Sequence, residues 1–490
     1  MPNTLADLKP QSLWDHFAQI AAIPRPSKKE ERIAAHVMTL ARGASLEAQQ
    51  DSLGNIIVRK PASPGKEGSP MVALQSHLDM VCEKNRDVPH DFDRDGIQLV
   101  QSNGYIKAKG TTLGSDNGIG VAAALSVMLN PSLVHGPLEF LFTLDEETGL
   151  TGANGLQPGF VKSKILLNLD SEEEGSLYVG CAGGRDTILR LAIKRDDAPP
   201  GFLPIVISVG GLRGGHSGVD IHVGRANALK LLGRTLGDLS RNMEIHLAYI
   251  EGGSKRNAIP REAEALVYAD PAAQRPMQDR LTYLTELYRS EYTSVDSEVL
   301  VRGTAATGRQ KERVLSRADR DRVICLLSTL PHGVIAMSGD LPGLVETSTN
   351  VATIETSEDT ITVGTSQRSS VGSALEDMVR VVQSMGMIAG AKVETTDGYP
   401  GWKPNMSSLA LKVARQTYLE LFGKEPAIKA IHAGLECGII GERYPGIDMV
   451  SFGPTIEGPH SPDERVEIAS VQKFWDLLAG VLKNLAAVSH

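Results

Sequence analysis

Leu138-Glu139-Phe140-Leu141-Phe142-Thr143-Leu144-Asp145-Glu146-Glu147 is an apolar, aromatic run that ends in three consecutive acids. The run predicts a buried strand. Adjacent carboxylates repel one another and are costly to bury unpaired, so a sheet end that carries them needs positive charge nearby. A bound metal cation is the most compact source of that charge. On this reading Glu146 and Glu147 sit beside a metal, one as a ligand and one as a proton carrier. The plain alternative is a solvated acidic loop, and this stretch alone does not separate the two.

Working outward, 490 residues are too many for one ordinary core and predict two or three domains. A hydrophobic fraction of 41% and a charged fraction of 22% are those of a soluble globular chain. The formal net charge of -9 argues against a nucleic acid or an anionic membrane as partner and suits a cation-binding site. No signal peptide is expected at the N-terminus, and no apolar run approaches the ~20 residues of a spanning helix. Cys82, Cys181, Cys325 and Cys437 are scattered, which suits reduced residues in a cytoplasmic protein rather than disulfides or a thiolate zinc site. Any metal ligands should then be His and carboxylate.

Periodicity predicts helices over 12–23 and 27–42, the second opening with the capping-box pattern Ser27-Lys28-Lys29-Glu30. Strands are predicted at 56–58, 71–81, 138–144 and 165–170, with a helix over 119–129 between them. Acids at strand ends in this order give an α/β pattern, in which sites gather at the carboxyl ends of strands. From about residue 185 strands and helices mix differently. They include strands at 189–193, 205–209, 245–250, 263–268, 360–365 and 391–395 and helices at 226–239, 277–288, 317–327 and 374–385. That order suits an inserted α+β domain with antiparallel sheet. After Gly401 the α/β character returns, with helices at 409–422 and 471–487 around a strand at 447–452. The expected architecture is an α/β catalytic domain (1–185 and 401–490), with a mixed central sheet flanked by helices, split by an α+β lid domain over 186–400.

Five segments deliver metal-suited side chains at strand ends or in glycine-rich turns: His77-x-Asp79, Asp116, Glu146-Glu147, Asp170 and His460. Each has a plain alternative, since a lone His is usually an ordinary polar residue and Asp116 or Asp170 could simply cap a helix. Their shared placement strengthens the metal reading. Two His and several carboxylates without thiolate suit Zn²⁺, Co²⁺ or Mn²⁺, and one carboxylate can bridge two ions ~3.5–4 Å apart. In His-x-Asp, the Asp can accept the imidazole's other N–H and fix its tautomer.

His77-Leu78-Asp79, Gly114-Ser115-Asp116-Asn117-Gly118, Asp145-Glu146-Glu147-Thr148-Gly149, Leu169-Asp170, Gly215-His216-Ser217-Gly218 and His460 resemble, in order and context, the co-catalytic zinc aminoacylase/carboxypeptidase/dipeptidase superfamily. Gly253-Ser254-Lys255-Arg256-Asn257-Ala258-Ile259-Pro260 and Ile431-His432-Ala433-Gly434-Leu435-Glu436-Cys437-Gly438 are similar to its branch of bacterial cytosolic aminoacyl-histidine dipeptidases. The resemblance implies two divalent ions, foremost Zn²⁺, bridged by Asp116. His460 and Glu147 complete one site, and His77 and Asp170 the other. It further implies that Asp79 orients His77, that Glu146 is the general base, and that the Asp116–Asn117 peptide is cis. His216 becomes a donor to the tetrahedral oxyanion, and Asn257 and Arg368 become binders of the substrate's C-terminal carboxylate. The implied substrate is a small dipeptide, including Xaa-His such as carnosine. The long insertion implies that His216 acts within its own chain, which makes a homodimer unnecessary for catalysis without excluding one.

Two rivals bear weighing. The same machinery could cleave another amide, such as an N-acylated amino acid, or the chain could be a metal-stabilised binding protein without turnover. A serine hydrolase is disfavoured because Val219 stands where a nucleophile elbow needs its last Gly, and no phosphate-binding Gly-rich loop is present.

Overall fold

The computed structural model describes residues 5–306 and 313–488. The chain divides into two compact units. One comprises Met1–Gly180, Trp402–Ala430 and Leu435–His490, and the other Cys181–Gly401 with the short excursion Ile431–Gly434.

The first unit is built on a mixed eight-stranded sheet in the order Glu47–Gln50, Ile56–Lys60, Leu138–Thr143, Val72–His77, Ile165–Asn168, Asp448–Ser451, Ser176–Cys181, Ala427–Ile431. Val72–His77 runs parallel to both Leu138–Thr143 and Ile165–Asn168, and Asp448–Ser451 runs parallel to Ile165–Asn168. Four parallel strands thus end on one edge, where the sequence places its acids and histidines. All six residues of Leu138–Thr143 are buried, as expected of a central strand. The buried Glu139 is paid for locally: Arg59 Nε donates to it at 3.0 Å, and Ser163 donates through N and Oγ at 2.8 and 2.7 Å. The helix Ser115–Leu129 is apolar on nearly every side, and almost all of it is buried. Gln11–Ala21 packs on it through the face carrying Leu13, Trp14, Phe17 and Ile20.

One helix start differs from the expectation. The capping-box reading began the second helix at Ser27, but it begins at Glu31, and Lys28 has φ +68°. Ser27 Oγ is occupied elsewhere, donating to Asp79 Oδ2 at 2.7 Å, and Glu30 Oε1 accepts from Lys28 N and Asp145 N. A long-range bond has displaced the local cap.

The second unit carries a nine-stranded sheet in the order Leu300–Ala305, Leu203–Gly210, Ala263–Ala269, Ile245–Gly252, Val345–Thr356, Thr360–Ser369, Gly183–Ala192, Lys392–Thr395, with Gly333–Met337 added beside Val345–Thr356. Its pairings are antiparallel. The helices Ala228–Asn242, Gln274–Glu291, Arg317–Thr329 and Gly372–Ile388 contribute to its apolar core, which includes Leu232, Leu236, Leu281, Leu327 and Val382. Asn227 caps the first of these helices by accepting from Leu229 N and Lys230 N. Among the described residues no helix is long and apolar enough to cross a membrane.

Candidate active site

The parallel strands Val72–His77, Leu138–Thr143 and Ile165–Asn168 bring His77, the Glu146–Glu147 pair and Asp170 to the sheet edge. His77 is the last residue of its strand and is 1% exposed. Its Nδ1 lies 3.2 Å from Asp79 Oδ1, which leaves Nε2 to face Asp116 Oδ1 at 3.1 Å and Asp170 Oδ1 at 3.3 Å. His460 Nε2 lies 3.2 Å from Asp116 Oδ2 and 3.1 Å from Glu147 Oε2. Asp116 therefore turns one carboxylate oxygen to each imidazole. Two groupings share it, His77–Asp116–Asp170 and Asp116–Glu147–His460, each with ligand atoms within 4.8 Å of one another. The peptide bond from Asp116 to Asn117 is cis.

Asp79 does more than face His77. Fully buried, it accepts from Ser27 Oγ and from the backbone N–H groups of Glu146 at 3.0 Å and Glu147 at 3.2 Å. Burial opposes its ionisation, but His77, Ser27 and the Glu146 N–H hold its pKa down to about 2. One carboxylate thereby orients the imidazole and the turn that carries both glutamates. That turn starts at Asp145 in the left-handed region (φ +49°), with Thr148 and Thr151 hydroxyls donating to the Asp145 carboxylate.

Arg25 and Glu464 lie buried beside these groups. Arg25 Nη1 donates to Leu78 O at 2.9 Å and Asp79 O at 2.6 Å, and Nη2 donates to Gly114 O. The turn is wrapped so closely around this guanidinium that a Cβ on Gly114 (φ +69°) would lie 2.5 Å from Nη2. Glu436 Oε2 accepts from Gln75 Nε2 at 2.6 Å and Thr143 Oγ1 at 2.7 Å, just beneath the strand ends.

The electrostatics call for cations. Burial raises Glu146 well above the usual carboxylate range, with Asp170, Glu436 and Glu147 adding to it against the pull of His77. Burial likewise pushes Asp170 and Glu436 up to about 7, and burial with Asp116 and Asp170 pushes Glu172 up to about 9. Hydrogen bonds to Asp116 and Glu147 push His460 up to about 11. Glu147 Oε1 is buried without a hydrogen-bond partner, and Asp170 Oδ1 has only the His77 ring nitrogen beside it. An excess of buried carboxylate, an orphaned oxygen and imidazole nitrogens aimed inward, all N and O donors, fits two divalent cations. A third grouping, His77, Glu146 and Glu147, also falls within 4.8 Å, so distance alone permits either glutamate as a ligand.

The second unit holds the other expected residues. His216 Nδ1 accepts from Gly218 N at 3.2 Å and Val219 N at 3.1 Å, which assigns the proton to Nε2. Burial and the neighbouring Arg368 lower its pKa, so it is a neutral Nε2–H donor. Arg368 is 7% exposed, and the only hydrogen bond of its side chain among the described residues runs from Nη1 to His432 O at 3.4 Å; its Nε is unpartnered. A buried guanidinium with so few partners is suited to an anion. Gly218 permits this packing, because a Cβ there would lie 2.4 Å from His432 O. Asn257 is exposed, with its backbone O accepting from Ser217 N at 2.8 Å.

Ser27, Arg25, Glu172 and Glu464 escaped the sequence reading. Glu172 had a signal, an acid two residues after Asp170, whereas Arg25 and Glu464 are single charges whose partners are distant in sequence. Glu436 lies inside a motif that by itself assigns it no role.

A model of the family described as Peptidase family M20/M25/M40 matches residues 73–484. Over 485 residues the chain is 43% identical to the cytosol non-specific dipeptidase of Escherichia coli (strain K12), spanning 99% of this chain and 100% of that protein. It is 44% identical to the aminoacylhistidine dipeptidase of Vibrio alginolyticus, whose crystal structure superposes with a TM-score of 0.93 and covers 98% of this chain and 97% of that one. The aminopeptidase PepT of Bacillus cereus, at 17% identity and a TM-score of 0.57 over 98% of this chain and 99% of its own, shares the fold.

Proposed function

We propose that this chain, which belongs to peptidase family M20/M25/M40, is a cytoplasmic metal-dependent dipeptidase that cleaves dipeptides, including Xaa-His such as carnosine. The observation that carries the reading is the pair of ligand groupings sharing Asp116. The extent of likeness to two dipeptidases supports the substrate class, and the word cytosol in the name of one of them supports the compartment.

In this reading His77 and Asp170 hold one divalent ion, Glu147 and His460 the other, and Asp116 both. Zn²⁺ fits the donor set best, and Co²⁺ or Mn²⁺ also suit it. When bound, the two ions acidify water towards neutrality and polarise the scissile carbonyl. Glu146 takes the proton from the attacking water and passes it to the leaving amine. Burial keeps its carboxylate more basic than an ordinary one, which serves the first step. Asp79 fixes the tautomer of His77 and, through the N–H groups of Glu146 and Glu147, the direction of the turn.

The second unit serves as the lid and supplies the groups that grip substrate. Arg368 and Asn257 take the C-terminal carboxylate, and the Nε2–H of His216 donates to the oxyanion that forms at the scissile carbonyl. His216 acts within its own chain, so activity should persist on dilution to a demonstrated monomer, whether or not a homodimer forms at higher concentration.

The test is a substrate panel on metal-stripped protein reconstituted with Zn²⁺, Co²⁺ or Mn²⁺ one at a time. Hydrolysis of β-Ala-His and other dipeptides in preference to N-acetyl amino acids supports the reading. Preference for the N-acetyl compounds makes it an acylase. Metal-dependent stability without amide hydrolysis makes it a binding protein.

A further inference from the structure

His460 stands in the loop between strands Ile456–Glu457 and Arg465–Glu467. Residues 457 to 463 are all partly or fully exposed, and His460 itself has φ +60°, a conformation a β-carbon disfavours. Little packing holds the imidazole in place. The loop is tied internally by Ser461, whose Oγ donates to Gly458 O at 2.8 Å and whose O accepts from Glu464 N at 3.0 Å. Its anchor is Glu464, where the chain turns inward again, 2% exposed.

The Glu464 carboxylate is saturated by one segment. Oε2 accepts from Leu113 N at 2.7 Å and Gly114 N at 3.0 Å. Oε1 accepts from Ser115 N at 2.7 Å, Ser115 Oγ at 2.6 Å and Asp116 N at 3.3 Å. Four successive backbone donors and a hydroxyl thus converge on a residue some 350 positions later in the chain. These donors lead directly into Asp116, and the acceptor lies four residues after His460. No other described hydrogen bond ties the main chain of 113–116 to the loop that bears His460.

We infer that Glu464 is a positioning residue that fixes Asp116 in register with His460, and so sets the affinity of the Asp116–Glu147–His460 grouping for its ion. The inference rests on the dinuclear reading above. The other grouping has a separate tether, because Arg25 joins Gly114 O to the carbonyls of Leu78 and Asp79 beside His77. Because Asp116 is shared, loss of the Glu464 carboxylate reaches both ions, but it falls mainly on the His460 ion, since Arg25 still ties the turn before Asp116 to the His77 loop. Glutamine is the discriminating replacement. It keeps the shape but offers one acceptor oxygen, so its NH₂ is turned on backbone N–H groups that need an acceptor.

Metal-stripped wild type and Glu464→Gln are titrated with Co²⁺ alone, followed by visible absorption and by competition with a chromophoric chelator, with circular dichroism as the check on folding. Wild type should take two equivalents. The variant should take one with little loss of affinity and the second about 10–100-fold more weakly, the usual cost of losing a group that orients a ligand. The Co²⁺ concentration for half-maximal hydrolysis should rise by the same factor, and saturating Co²⁺ should restore turnover. Two equivalents at wild-type affinity, or equal weakening of both, overturns the inference. If Glu464→Gln does not fold, Ser115→Ala decides, since it removes one of the five donors: several-fold weakening chiefly of the second ion supports the inference, and an unchanged second ion overturns it. Wild type that binds fewer than two ions overturns the dinuclear reading itself, and this inference with it.

Discussion

His77 turns Nδ1 toward Asp79 Oδ1 at 3.2 Å with both side chains buried, and this single contact decides which ring nitrogen faces the other acids. Asp79→Asn keeps the shape but removes the charge and one acceptor. Metal content at the His77 grouping should fall, with affinity reduced about 10–100-fold. Equilibrium dialysis against Zn²⁺ measures it, and unchanged affinity would show that Asp79 serves only the Glu146–Glu147 turn.

Arg25 is a fully buried cation whose guanidinium holds three carbonyl oxygens, those of Leu78, Asp79 and Gly114, in the segments next to His77 and Asp116. Burial lowers its pKa, while Asp79 and Glu464 act to keep it charged. Arg25→Met fills much of the volume but strands those carbonyls and leaves the neighbouring carboxylates uncompensated. The first unit should lose about 3–5 kcal/mol of stability, read as a lower denaturation midpoint of the metal-free protein.

Arg368 is predicted to recognise the free carboxylate of the substrate. Arg368→Met should lower kcat/KM for a dipeptide about 10–150-fold, the worth of a charged hydrogen-bonded pair at ~1.5–3 kcal/mol. A C-terminally amidated dipeptide should lose far less between the two enzymes. Equal losses on both substrates would remove the carboxylate role.

His432 is 6% exposed and hydrogen-bonded to Ser348 Oγ at 2.7 Å. Burial, then the charge of Arg368, lowers its pKa to about 4. The folded protein therefore refuses a proton that the unfolded chain binds below about pH 6.5. Its contribution to stability is fully present above pH 6.5 and is lost as pH falls from 6.5 toward 4, in total about 3 kcal/mol. Denaturation midpoints of wild type and His432→Asn between pH 7.5 and 4 should converge as pH falls, and parallel curves would contradict the assignment.

The sequence displayed what is local and hid what is not. The run 138–147 announces a strand and its acids, and the His77, Asp116, Asp170 and His460 contexts each sit where a strand or turn ends. Ser27 was misread because its hydroxyl serves Asp79, 52 positions away, and no local pattern records that. The strand Val345–Thr356 went unnoticed because Thr347, Ser348, Thr349 and Asn350 look like surface residues, yet all four are buried and paired with neighbouring strands. Arg25 and Glu464 carry no periodicity at all. Their meaning lies in the backbone groups they reach, which only the folded chain brings to them.

Adjacent Glu146 and Glu147 are proposed to divide base and ligand roles, a division that distance does not decide because His77, Glu146 and Glu147 also cluster. Metal content and turnover measured together on Glu146→Ala test it most directly. Two ions per chain are expected, as in wild type, with kcat reduced roughly 10²–10⁴-fold, the range for a lost general base. Loss of an ion in step with activity would contradict it and make Glu146 a ligand.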